Sequence, residues 1–173
     1  MKLVPISAGM PGGLLLGRGC AGAGLAALVL VGAVLLLPAF AQQLPPTAAL
    51  RFRQAIEYLR AQQYPLAEQA LNHLLREFPE NADIHEALAI VLDLRGNVQE
   101  ANSHFQHAVR LNPRSAQARL NLGANYFRLG KLAAAETEFL EALKLRPNDP
   151  TIRFNLGTLY LRQQKFQEAL PHL

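Results

Sequence analysis

The sequence predicts an all-α solenoid of antiparallel helix pairs from Thr47 onward, on the strength of two periodic features and one local pattern. Three prolines follow one another at intervals of 34 residues, at Pro79, Pro113 and Pro147. Side chains of the types that cap helix N-termini recur at the same interval, at Thr47, Asn81, Ser115 and Asp149. Between these markers, apolar residues are spaced by three and four positions, which is typical of helices and not of strands.

Each 34-residue unit also places small and large side chains at matching positions. In the third unit, small Gly123 and Ala135 should let two helices approach closely, and large Tyr126 and Phe139 should fill the space beside them. The aligned sets are Gln54, Leu88, Leu122 and Leu156; Ala55, Ala89, Gly123 and Gly157; Tyr58, Leu92, Tyr126 and Tyr160; Ala67, Ala101, Ala135 and Ala169; Leu71, Phe105, Phe139 and Leu173; and Leu74, Ala108 and Ala142. We interpret all of these positions as packing positions.

Glycine marks the ends of the first helices. Gly96 and Gly130 fall where the first helix of a unit must stop, and glycine accepts the left-handed backbone needed there. We expect helices near residues 48–61, 65–77, 82–95, 98–111, 116–129, 132–145 and 150–163, and an eighth from about residue 166. They make up repeats 48–81, 82–115 and 116–149 and an incomplete fourth, 150–173. Because the sequence stops inside the second helix of that unit, we expect the natural protein to be longer.

The repeated unit resembles the tetratricopeptide repeat, whose pattern is W-x₂-L-G-x₂-Y, then A-x₃-F, then P. The third unit reads Leu122-Gly123-x₂-Tyr126, then Ala135-x₃-Phe139, then Pro147. The departure is at the tryptophan position, which holds Arg51, His85, Arg119 and Arg153. The resemblance implies a right-handed superhelix of three full repeats plus a partial fourth, with a concave groove lined by the first helix of each pair.

The resemblance also implies which side chains face the groove. The candidate groove residues are Phe52, Arg60, Ile90, Asn121, Phe127, Arg128, Phe154, Asn155 and Arg162. Asn121 and Asn155 are one period apart, and an asparagine can both donate to and accept from a peptide backbone. The alternative is that asparagine is simply common at this position.

Charge in the candidate groove points to a particular class of ligand. Arginine occupies the same position in three of the four repeats, at Arg60, Arg128 and Arg162, and Leu94 occupies it in the second. Together with the candidate phenylalanines, these arginines could hold acidic and apolar side chains of a ligand. The alternative is a solvated arginine face. The groove positions include no lysine, and acidic residues in the second unit, Asp83, Glu86 and Asp93, would repel a carboxylate. We therefore do not expect the clamp with which some relatives grip a C-terminal carboxylate.

The first 41 residues differ in composition from the repeats. Lys2 and Arg18 precede an uncharged apolar run, residues 21–37, and small Ala39 and Ala41 follow it. This order predicts a secretory signal peptide cleaved after Ala41, with residues 42–46 as a linker. Two alternatives are an uncleaved membrane anchor formed by residues 21–37 and lipidation at Cys20. Each implies export, so we expect a periplasmic or secreted protein.

The net charge and the cysteine count limit the kinds of partner that the repeats are expected to bind. Without residues 1–41, Lys and Arg fall from 17 to 15 against 13 acidic residues, so the net charge of the repeats is about +2. That field is too weak to predict nucleic-acid binding, and contact with a membrane is expected only through an uncleaved N-terminal segment. The lone cysteine, Cys20, leaves the repeats without a disulfide or a thiolate metal site.

No pattern in the sequence predicts catalysis. We expect His85, His104 and His107 to be surface histidines and Glu136, Glu138 and Glu141 to form a solvated helix face. No phosphate-binding glycine loop or catalytic triad is present, so we expect no enzyme, metal or cofactor. The predicted function is a non-catalytic protein–protein interaction scaffold that binds a peptide or protein segment. The alternatives are a structural subunit of an envelope assembly, using the outer face or the open C-terminal end, and an adjunct of a larger enzyme truncated here.

Overall fold

The computed structural model describes residues 44–172, which are helical with short connecting turns. The helices are α1 (Pro46–Arg60), α2 (Tyr64–Glu77), α3 (Ala82–Leu94), α4 (Val98–Leu111), α5 (Ala116–Arg128), α6 (Leu132–Leu145), α7 (Pro150–Arg162) and α8 (Phe166–Ala169), followed by a 3₁₀ turn, Leu170–His172. The predicted signal peptide, its cleavage after Ala41, the alternative anchor and lipidation at Cys20 all lie outside the described residues.

The helices pack as successive pairs, which confirms the predicted all-α solenoid. Each helix packs on the next one along the chain, and contact is most extensive within the pairs α3/α4 and α5/α6. The expected bounds agree with the observed ones to within two residues at every end. None of the helices in residues 44–172 is long and apolar enough to cross a membrane.

Three of the four predicted N-caps are confirmed. The side chain of Asn81 accepts a hydrogen bond from the Ile84 amide at 3.0 Å, and Ser115 accepts one from the Ala118 amide at 3.1 Å. Asp149 accepts one from the Thr151 amide at 2.9 Å. These bonds satisfy amides that have no partner inside the helix.

The prediction that Thr47 caps the first helix is wrong. Helix α1 begins two residues before its predicted start, at Pro46, with Pro45 in the capping position. The carbonyl of Pro45 accepts a hydrogen bond from the Ala49 amide at 2.8 Å. Proline fixes φ near its helical value and lacks an N–H group, so the Pro45–Pro46 pair starts the helix without a capping side chain.

The packing positions contribute most of the buried core. Every aligned alanine and glycine in the described repeats is buried, as are Leu71, Phe105 and Phe139. A Cβ on Gly123 would lie 2.6 Å from two carbons of the Phe139 ring, so glycine is what lets α5 and α6 approach. Gly96 and Gly130 have φ of 88° and 74°, which confirms their role in ending α3 and α5. The exception is Gln54, which is exposed and donates to the Tyr58 hydroxyl at 2.9 Å.

The expected solvated glutamate face on α6 is wrong for two of its three residues. Arg119 on α5 forms an ion pair with Glu138 at 2.9 Å, and both side chains are only 18% exposed. Glu136 is half-buried and accepts a hydrogen bond from the Tyr160 hydroxyl at 3.2 Å. These two carboxylates bind neighbouring helices because α6 packs between α5 and α7.

Helix α8 is short, and Pro171 lies just beyond it. After Ala169 the backbone continues as a single 3₁₀ turn, consistent with the missing N–H group of Pro171. Several large apolar side chains are exposed in this part of the chain, at Leu161, Phe166 and Leu170.

Candidate functional site

The first helices of the pairs, α1, α3, α5 and α7, carry all nine candidate groove residues, and the side of the solenoid they share is called the inner face here. Contacts on this face join residues 35 positions apart. Glu86 pairs with Asn121, Asp93 pairs with Arg128, and Phe127 lies under Arg162. The same offset repeats because each pair of helices is stacked on the next with the same geometry.

The two candidate asparagines have different surroundings. The amide of Asn121 donates to Glu86 at 2.8 Å, and its oxygen accepts from Gln117 at 3.1 Å. The amide of Asn155 donates to the carbonyl of Thr151 within its own helix, at 2.8 Å. Asn121 therefore already bridges two repeats, whereas the bond recorded for Asn155 is local to α7. An asparagine ladder along a bound backbone stays a prediction.

The three candidate arginines are also in different settings. Arg60 pairs with Glu57 on the same helix at 2.8 Å, and both side chains are largely exposed. Arg128 binds both the carboxylate and the carbonyl of Asp93 on α3. The guanidinium of Arg162 lies over the Phe127 ring, 4.7 Å from its centroid. Of the three, Arg162 presents a guanidinium stacked on an aromatic ring at a solvent-exposed position.

The candidate apolar residues divide between the two ends of the inner face. Phe52 and Ile90 are half-buried, and both line a depression between α1 and α3. Phe127 is half-buried and packs against the core of the last two repeats. Phe154 is 62% exposed. Apolar surface is therefore available on both α1/α3 and α5/α7.

The depression between α1 and α3 is called the α1–α3 cleft here. Its volume is about 280 Å³. It is lined by Phe52, Ile56, Leu59, Ala87 and Ile90, with the carboxylates of Asp83 and Glu86 beside them. Burial, and next the nearby charge of Asp83, raise the pKa of Glu86 above its ordinary value, while the hydrogen bond from Asn121 opposes this shift.

Three of the four tryptophan-position residues share a structural role that sequence reasoning missed, whereas the fourth, Arg51, forms an ion pair with Glu77. Arg119 donates to the carbonyl of Pro113 at 2.9 Å, and Arg153 donates to that of Pro147 at 2.9 Å. His85 Nε2 lies 2.9 Å from the carbonyl of Pro79. In each case the side chain reaches the carbonyl of the proline six residues before it. The sequence signal for this role was the constant spacing of six residues between each proline and the polar side chain that follows it.

The expectation that the histidines lie on the surface is wrong for His85 and His104. His85 is only 6% exposed, and its Nδ1 lies 3.0 Å from Nδ1 of half-buried His104. The His107 ring lies 5.0 Å from the His85 ring, centroid to centroid. Burial lowers the pKa of both His85 and His104 below its ordinary value. Among residues 44–172, no three His, Cys, Asp or Glu side chains are arranged to hold a metal.

A buried asparagine next to the inner face was also missed. Asn125 is 1% exposed. Its amide donates to Val98 O at 3.0 Å and to the Asp93 carboxylate at 3.1 Å, and its oxygen accepts from Asn102 at 2.8 Å. The sequence signal for this residue was its polarity, because the equivalent positions one repeat earlier and one repeat later hold the apolar residues Val91 and Leu159.

Comparison with protein families decides the assignment of the fold. The tetratricopeptide repeat pattern matches three overlapping stretches, residues 52–109, 95–150 and 120–173. The chain belongs to the tetratricopeptide repeat family. Together with the helix pairing, this membership confirms the right-handed superhelical solenoid. Comparison with curated proteins finds no match.

Several solved structures share this fold. MamA from Desulfovibrio magneticus RS-1 is 19% identical with a TM-score of 0.68, over 72% of this chain and 71% of that chain. The first repeat domain of Spaghetti (RPAP3), bound to an HSP90 peptide, is 22% identical with a TM-score of 0.65, over 68% and 93%. An O-GlcNAc transferase mutant from Thermobaculum terrenum is 25% identical with a TM-score of 0.63, over 66% of this chain and 22% of the enzyme.

Proposed function

We propose that this tetratricopeptide repeat protein is a non-catalytic scaffold whose inner face binds an extended peptide or a segment of another protein. The observation that carries the proposal is the stacking of Arg162 on Phe127, with Asn155 on the same helix. Arginine presents five N–H donors in a planar fork, and stacking holds that fork in place at low entropic cost. Such a surface suits acidic and aromatic groups of a ligand, and aromatic residues are frequent anchors at protein interfaces.

The location of the protein is part of the same proposal. The basic residues, the apolar run and the small residues up to Ala41 support export by a signal peptide. A periplasmic or secreted scaffold would then meet partners in the envelope or the medium. The alternative anchor formed by residues 21–37 would keep the repeats on the same side of the membrane. Detection of a mature protein beginning at Gln42 tests this part, and an uncleaved N-terminus would favour the anchor.

The test of the binding function uses the full chain as bait for a displayed library of random 12-residue peptides. Selected peptides are then synthesised and titrated against the wild type and an Asn155→Ala/Arg162→Ala double variant. We expect the double variant to bind about 30-fold more weakly or worse, since two anchor side chains that each contribute about 1 kcal/mol or more are removed. The matched control is Asn112→Ala/Arg114→Ala, which removes the same two side-chain types from the exposed turn between α4 and α5.

The outcomes separate the proposal from its rival. Equal binding by both double variants would contradict an inner-face site, as would the absence of any enriched peptide. The rival is an assembly subunit, favoured by the exposed Phe166 and Leu170 at the last helix. Phe166→Ser tests it, because a subunit that associates through this end would dissociate while its peptide binding stayed unchanged.

A further inference from the structure

The α1–α3 cleft combines an apolar floor with negative charge. Phe52 and Ile56 contribute from α1, and Ile90 contributes from α3. Asp83 and Glu86 are three residues apart on α3, so both carboxylates lie on the same side of that helix. Asp83 is exposed and Glu86 is half-buried, which places one carboxylate in solvent and the other close to the floor.

Neither carboxylate of the cleft takes part in an ion pair among residues 44–172. The ion pairs near the inner face use other acids, namely Glu57 with Arg60 and Asp93 with Arg128. Glu86 is held by the neutral amide of Asn121. Two carboxylates thus share a partly desolvated depression, and burial first, then the nearby charge of Asp83, raises the pKa of Glu86.

A side chain with an apolar stem and a cationic end complements this arrangement. Lysine and arginine bury their methylene stems against apolar surface and keep the charged group at its edge. A charge-assisted hydrogen bond to a carboxylate is also stronger than one between neutral groups. An acidic or purely apolar side chain would leave the two negative charges unbalanced in the cleft.

We propose that the α1–α3 cleft binds a lysine or arginine side chain of the peptide segment held on the inner face; this rests on the proposed function. The inner face is then bipolar, with carboxylates on α3 and the stacked Arg162 on α7. A peptide bound along it carries its cationic residue over the first two repeats and its acidic or aromatic residues over the last two. Opposite charges at the two ends fix the direction in which the peptide lies.

The test uses peptides selected from the random 12-residue library and their variants in which lysine or arginine is replaced by norleucine. Norleucine keeps the apolar stem and removes the charge. The protein variant is Asp83→Asn/Glu86→Gln, which neutralises the cleft while the amide oxygen introduced at position 86 can still accept from Asn121. The matched control, Glu100→Gln/Glu141→Gln, removes two carboxylates from α4 and α6, outside the cleft. All proteins are full chains, and affinities are compared at one salt concentration.

We expect the cleft variant to bind cationic peptides about tenfold more weakly, because the charge-assisted hydrogen bond between the cation and a carboxylate is lost. The control should bind them like the wild type, and the norleucine peptides should bind the cleft variant at least as tightly as the wild type, because the variant has no unbalanced negative charges in the cleft. Peptides that depend on Asn155 and Arg162 but bind the cleft variant normally would overturn this inference and leave the proposed function standing. Selected peptides without lysine or arginine would overturn it as well. Failure to select any peptide would contradict both.

Discussion

His85 occupies the position at which Arg119 and Arg153 hold a proline carbonyl, and it holds the Pro79 carbonyl with an imidazole ring, whose charge, unlike that of a guanidinium, can change with pH. A carbonyl can only accept, so His85 Nε2 carries the proton that points at Pro79. In the neutral ring, Nδ1 is then bare and accepts from the Nδ1–H of His104. Protonation of both rings would place two N–H groups against each other at 3.0 Å.

The histidine pair predicts a loss of stability in weak acid. Burial, as the first cause, lowers the pKa of His85 and of His104. The hydrogen bond to the Pro79 carbonyl and the charge of Glu80 oppose the shift for His85, whereas the proximity of His107 and Arg110 reinforces it. Because the folded pKa values lie below the ordinary value of about 6.5, the unfolded state binds more protons as the pH falls below that value. The free energy of unfolding should therefore fall from pH 7 to pH 5.

Urea unfolding midpoints measured at each pH provide the check. The double variant His85→Gln/His104→Gln should show a shallower decline between pH 7 and pH 5 than the wild type. Replacement of the exposed His73 by glutamine is the control. The unfolding midpoint of this variant should fall more steeply between pH 7 and pH 5 than that of the double variant. An equally steep decline in the double variant would mean that other groups cause the acid sensitivity.

At the scale of the helices, Asn125 joins three elements that apolar packing alone would leave free to slide. It links α5 to the Asp93 carboxylate on α3 and to Val98 and Asn102 on α4. A buried polar group costs free energy unless it is bonded, and here its recorded partners satisfy both its amide and its oxygen. The network therefore fixes the register between the second and third repeats.

Replacing Asn125 with leucine, the residue found one repeat later, should be destabilising despite its fit to the pattern. Asn102 and Asp93 would each lose a partner in a partly buried setting, at a cost of about 1–3 kcal/mol. Adding Asn102→Ala should cost less than the sum of the two single changes, because the bond between them is lost only once. Denaturant unfolding of the four proteins measures this coupling, and strict additivity would show that the asparagines do not act together.

Helices and packing positions could be predicted from the sequence, whereas pairing across helices could not. Ala135 and Phe139 were assigned correctly because their spacing within one helix already defines a buried side. Glu138 was misassigned because its partner, Arg119, is on another helix, and spacing along α6 carries no information about it. The groove candidates share a face for the same local reason, yet Asn121 already binds Glu86, which depends on how α3 and α5 stack. Orientation between helices is the information that a single periodic pattern lacks.

At the scale of the whole molecule, the core consists of two clusters that meet at α5. One contains buried residues of α1 to α4 together with Leu122. The other contains Leu120 and buried residues of α6 to α8. Tyr126 packs against both. Stability in such arrays is approximately the sum of repeat and nearest-neighbour terms, so the two halves should be able to open separately.

Two matched truncations test this division. Phe139 and Phe105 occupy the same position in successive repeats and are 1% and 3% exposed, so each change to alanine should cost about 3–5 kcal/mol. Phe139→Ala should lower amide hydrogen-exchange protection mainly in α5 to α8, and Phe105→Ala mainly in α1 to α5. Helix α5 should lose protection in both variants, because it borders both clusters. An equal loss along all the helices in either variant would show that the solenoid opens as one cooperative unit. Separate opening of the two halves requires that the contacts made by Tyr126 and Leu122 on α5 break while the rest of one half stays folded.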